Sequence, residues 1–138
     1  MTCPLCTLPA GELLYEDTQL WVLLVDEAGY PGFCRVIWKQ HVREMTDLPA
    51  SAQSHLLDWV LRTESAVRQV MQPDKINLAS LGNVVPHLHW HVIPRFEDDA
   101  HFPAPIWAQP QRAGADHAQP QLAAQLRQAL QAGLAARG

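Results

Sequence analysis

The 138-residue chain has room for one domain, and its 48% hydrophobic and 17% charged residues supply one apolar core. A formal net charge of -4 makes a broad nucleic-acid-binding face unexpected, although a local basic pocket is compatible with it. No apolar run approaches a membrane span, and Met1–Ala10 lacks a basic stretch leading into an apolar one, so a cytoplasmic protein without a membrane partner is expected.

Cys3 and Cys6 open the chain as a CxxC pair, a spacing that suits a metal or redox site. Glu12–Glu16 reads as a short strand. Leu20–Val25 is a continuous apolar run, the mark of a strand buried on both faces. Gly29, Pro31 and Gly32 make a turn, and Cys34–Trp38 is a second apolar run able to pair with the first. Cys34 within it reads as buried filler. A helix follows. Thr46 or Asp47 is its expected cap, with Pro49 in the first turn. Leu56, Leu57, Val60, Leu61, Val67 and Val70 recur at helical spacing, and Pro73 ends the helix. Strands are expected over Lys75–Ala79 and His87–Pro94, with Leu81-Gly82-Asn83 turning between them.

Glu97–Pro120 carries four prolines and little periodicity, so it reads as an extended segment. Phe102, Ile106 and Trp107 are too apolar for a solvated linker and are expected to pack. Leucines 122, 126, 130 and 134 fall on one face of a terminal helix, Gln121–Ala136, which should dock on the domain or on a second subunit. The sum is an α+β fold: an antiparallel sheet of about five strands, a long central helix and a C-terminal helix. Residues 1–96 form the core and 97–138 an extension packed on it or on a dimer partner.

The stretch His87-Leu88-His89-Trp90-His91 places three of the chain's seven histidines at alternate positions. On a strand these share one face, about 6.5–7 Å apart, while Leu88, Trp90 and Val92 face the core. Burying three imidazoles for structure alone needs many partners. Two chemistries fit the row. Neutral imidazole is a nucleophile toward phosphorus at pH 7, with neighbours that bind phosphate oxygens and move protons. Alternate histidines can also ligate zinc. Gly82 permits close backbone approach to a phosphate, the turn N–H groups could line an anion nest, and Asn83 adds an amide donor.

The run His87–Ile93, continued by Pro94-Arg95, resembles the signature of the histidine-triad (HIT) family. Cys3-Pro4-Leu5-Cys6, Tyr15-Glu16, Asp26, Pro31-Gly32, Val36-Ile37 and Lys39-Gln40-His41 follow the same family's order over residues 3–96. The resemblance implies a homodimer that binds a purine nucleotide or dinucleotide and hydrolyses or transfers its nucleotidyl unit. It implies His89 as nucleophile, His91 on the transferred phosphate and His87 orienting His89. Asp26 would bind the ribose hydroxyls. Asn77, displaced by one residue from the family's spacing, and Asn83 would contact substrate. A subset of the family holds structural zinc, which here implies Cys3, Cys6, His41 and His87 as ligands; no cofactor is required for the chemical step. Phe33 stands where the family often has histidine, and Val84 where it often has Ser or Thr, both positions usually close to the phosphate. Those departures leave room for a non-enzymatic nucleotide-binding module, and the histidine row leaves room for a metal-centred hydrolase.

Overall fold

The computed structural model describes residues 3–137, with side chains described through 134. Five strands form one antiparallel sheet in the order β1-β2-β3-β5-β4: β1 Glu12–Glu16, β2 Leu20–Leu24, β3 Cys34–Trp38, β4 Lys75–Ala79 and β5 His89–Arg95. Two helices, α1 (Ala50–Met71) and α2 (Leu122–Arg137), complete the α+β fold.

The continuous apolar run of β2 is explained by burial on both faces. Leu20 and Val22 enter the main core beneath the helices, with Val36, Trp38, Leu88 and Val92. Trp21 and Leu23 point the other way and form a smaller cluster with Ile37 and Leu5. The β2–β3 turn needs glycine at 32. Its φ is +85°, and a Cβ there would lie 2.7 Å from the Met71 side chain.

Helix α1 starts later than expected. Asp47 instead closes a short 3₁₀ turn (Met45–Asp47) through reciprocal capping with Glu44, and Pro49 is the N-cap of α1, its carbonyl accepting from Ala52 and Gln53. The buried stripe is Leu56, Trp59, Val60, Thr63, Ala66, Val67 and Met71. Leu57 and Leu61, expected on the core side, are 41% and 50% exposed. At 100° per residue they lie beyond the edge of the buried stripe, on the side of the helix away from Trp59, which is stacked on Tyr15 at 3.6 Å.

The terminal helix docks on its own domain. Leu126 and Leu130 are buried in the main core and Leu122 and Leu134 pack against it. Arg127 adds hydrogen bonds to the Leu13 carbonyl at 2.9 and 3.1 Å. The 97–120 segment is pinned by a buried ion pair: Arg95 donates to both Asp99 oxygens (2.8 and 3.1 Å), to the Ala104 carbonyl and to Asn77 Oδ1. Asp99 also accepts from the N–H groups of Phe96, His101 and Phe102. Ile106 lands on the cluster of Tyr30, Phe33 and Ile93. Among the described residues no helix is long and apolar enough to cross a membrane.

Candidate active site

Antiparallel pairing puts Arg35 opposite His91 and Ile37 opposite His89. Directly paired residues share a face, so the sheet face away from the helices carries His89, His91 and Arg35, with Ala79 of β4 beside His91. The regular strand starts at His89; His87 lies just before it, where the chain turns in from Gly82 at φ +71°.

His89 is 8% exposed and its Nδ1 lies 2.6 Å from the His87 carbonyl oxygen. A carbonyl only accepts, so Nδ1 carries the proton and Nε2 keeps its lone pair. Burial lowers the pKa of His89; the bond to the His87 carbonyl works against that, and the charge of Arg35 adds to it. Burial, helped by His89 and Arg35, brings His91 down to about 4. Both imidazoles are therefore neutral at pH 7.

The His91 ring meets three aromatic neighbours edge to face: His89 at 5.0 Å, Phe33 at 5.6 Å and Trp107 at 5.9 Å between centroids. Its Nδ1 is buried with no hydrogen-bond partner. Trp107, still 55% exposed, thus brings the extension to the edge of the histidine pair.

His87 takes part in a second grouping. It is fully buried, and Nε2–H donates to the Trp38 carbonyl at 2.6 Å. Its Nδ1 lone pair then faces Cys3 Sγ at 3.4 Å, Cys6 Sγ at 3.7 Å and His41 Nδ1 at 3.1 Å, while Cys6 Sγ lies 3.5 Å from His41 Nδ1. All four ligand atoms fall within 4.8 Å of one another. Tetrahedral zinc with Zn–S of about 2.3 Å and Zn–N of about 2.0 Å separates its ligands by roughly 3.3–3.8 Å, so this donor set fits such an ion. Among the described residues it is the one such grouping, and it includes His87 of the histidine row but neither His89 nor His91.

The remaining sequence candidates are more scattered. Asp26 is exposed and lines a cleft of about 1230 Å³ bounded by Gly11, Gly114 and Arg127; no histidine lines that cleft. Asn77 shares the histidine face, but its Oδ1 is engaged by Arg95. Asn83 lies exposed on the β4–β5 loop. Phe33 forms an apolar wall beside His91, and Val84 is 93% exposed. Arg35 and Trp107 were absent from the sequence candidates. An arginine inside the apolar run Cys34–Trp38 was the available signal for the first; the second carried none beyond its apolarity.

The HIT domain family matches residues 10–98. A solved histidine triad protein from Bradyrhizobium japonicum is 30% identical, with a TM-score of 0.74 over 86% of this chain and 90% of that one. The adenylylsulfatase HINT3 of Arabidopsis thaliana is 29% identical over 77% of this chain and 56% of its own length. The asymmetrical bis(5'-nucleosyl)-tetraphosphatase of Schizosaccharomyces pombe is 28% identical over 66% of this chain and 53% of its own. The chain thus spans about half the length of these two relatives. It belongs to the HIT family.

Proposed function

We propose that this HIT-family chain hydrolyses or transfers the nucleotidyl unit of a purine nucleotide derivative, such as a dinucleoside polyphosphate or nucleoside phosphoramidate, through a covalent adduct on His89. The observation that carries the reading is the 2.6 Å bond from His89 Nδ1–H to the His87 carbonyl. It aims an unprotonated Nε2 outward from a neutral, buried ring, which is what attack on phosphorus requires. The named relatives, an adenylylsulfatase and a bis(5'-nucleosyl)-tetraphosphatase, support a nucleotide substrate.

In the first step Nε2 donates its electron pair to the α-phosphorus. The bond from phosphorus to the leaving group breaks, and that group departs with the bonding pair and takes up a proton. In the second step water adds to phosphorus and gives up a proton to solvent, replacing the one the leaving group took up, the P–N bond breaks with its pair returning to Nε2, and the nucleotide is released. His91 contacts the transferred phosphate through an imidazole nitrogen. His87 positions His89 through its carbonyl. Asp26 accepts the ribose hydroxyls, and Asn77 and Asn83 supply amide contacts. Cys3, Cys6, His41 and His87 hold a structural zinc, which when bound ties the N-terminal segment to the strand entrance and supplies folding free energy rather than chemistry. The protein acts as a homodimer.

The test is rapid quench with a substrate labelled on its α-phosphate. Label should appear on the protein, acid-labile and base-stable, and be absent from His89→Gly. Retention of more than a few per cent of turnover in that variant defeats the mechanism. A protein that binds the nucleotides but turns none over is instead a binding module, the reading favoured by the apolar wall at Phe33.

A further inference from the structure

Arg35 is placed on the histidine face, yet among the described residues its guanidinium forms no hydrogen bond or contact ion pair. It stands opposite His91 in the β3–β5 ladder. Its guanidinium lies over the Phe33 ring, 5.7 Å from the centroid. Nε is buried with no hydrogen-bond acceptor, and among the described residues no carboxylate forms a contact ion pair with the group; Glu27 acts on it through charge alone. The contrast with Arg95 on the same sheet face is direct, since that guanidinium is held by Asp99, Asn77 and Ala104. A partly buried cation without a contact anion costs stability unless an anion completes it. Arginine's planar fork matches phosphate oxygens in particular.

We propose that Arg35 is a phosphate-binding residue of this site, its guanidinium taking a non-bridging oxygen of the phosphate attacked by His89. The inference rests on the nucleotidyl-transfer reading above and adds a residue to it. The chemistry explains how the site dispenses with polar side chains at 33 and 84. Phe33 offers a ring face to the guanidinium and cannot bind an anion, and Val84 points to solvent, so positive charge on the face comes from β3 instead. A guanidinium in that place neutralises the charge that gathers on the equatorial oxygens as the P–N bond forms.

The experiment compares the affinities of AMP and adenosine for the wild type, Arg35→Met, Arg35→Lys and Arg35→Gln by titration calorimetry, alongside ligand-free melting. Arg35→Met and Arg35→Gln should weaken AMP about 10- to 100-fold, the range of a lost charge-assisted bond, while adenosine changes by less than about twofold. Arg35→Lys should fall between. Ligand-free Arg35→Met should melt no lower than wild type, because it removes a partly buried charge held by no contact ion pair. An AMP affinity unchanged in Met and Gln, or an equal loss for AMP and adenosine, overturns the assignment. If wild type forms the labelled His89 adduct while the Arg35 variants bind AMP normally, Arg35 alone is misassigned. If wild type neither prefers AMP over adenosine nor forms the adduct, the nucleotidyl-transfer reading falls and takes this inference with it.

Discussion

His89 donates its Nδ1 proton to the backbone carbonyl of His87, so the nucleophile's tautomer is set by a residue whose own side chain belongs to the Cys/His grouping. The two halves of the site meet in this one bond. The imidazole of His87 is clamped at both nitrogens, by the Trp38 carbonyl on Nε2 and by Cys3, Cys6 and His41 around Nδ1. A buried ring held in this way fixes its own carbonyl, and through it the direction of His89 Nε2.

The first prediction concerns the metal. Protein purified without chelators should contain about one zinc per chain. Cys6→Ser should remove it and lower the melting temperature, on the order of 10 °C, because the shell ties the N-terminal segment to β5. Metal analysis by plasma emission checks the stoichiometry and calorimetry the stability. Well under one zinc per wild-type chain, or an unchanged melt in Cys6→Ser, counts against the shell.

Strand periodicity made most of the sheet readable in advance, and the reason is local. The alternation around Leu88, Trp90 and Val92 is decided by which side faces α1, and the sequence carries that pattern directly. The positions that escaped are those whose surroundings come from elsewhere in the chain. Arg35 joins the histidine face only through the β3–β5 register, which no periodicity encodes. Trp107 reaches His91 because Arg95 and Asp99 fold the extension back, an ion pair of residues four apart outside any helix. Leu57 and Leu61 are apolar and near helical spacing, but they fall outside the arc of Leu56, Trp59, Val60, Thr63, Ala66, Val67 and Met71 that meets the sheet and α2. Asp47 was a sound capping residue that caps a different turn.

The second prediction follows from burial of His91, whose pKa stands at about 4 in the folded protein against an ordinary value of 6.5. Between those values the unfolded chain binds the proton and the folded one does not, so stability falls as pH drops from about 6.5 toward 4. The full contribution is present above pH 6.5 and amounts to at most about 3 kcal/mol. Chemical denaturation of wild type and His91→Phe at pH 7.5, 6, 5 and 4.2 measures it. The wild type should lose more stability than the variant over this range; parallel curves would show that His91 titrates normally in the fold.

The third prediction is assembly. The leucines of α2, which from sequence alone could have served a partner, are consumed in the protein's own core. Ile106 is likewise spent on Tyr30, Phe33 and Ile93. The apolar groups left in solvent lie elsewhere. Leu57 and Leu61 sit one turn apart on α1, and Leu78 and Leu81 lie on and just beyond β4, at 39–50% exposure. Strand β4 is also an edge of the sheet, with one side of its backbone unpaired. Exposed leucines on a helix, and an open strand edge, are surfaces of the kind an isologous two-fold interface covers, since each copy presents the same surface to the other. Sedimentation velocity at micromolar concentration should therefore give a dimer for wild type. Leu61→Glu, which buries a carboxylate in that contact, should shift it to monomer while leaving the ligand-free melt of the monomer nearly unchanged, because residue 61 is half exposed within one chain. A monomeric wild type refutes the dimer, and a dimer that survives both Leu61→Glu and Leu57→Glu places the interface on another face.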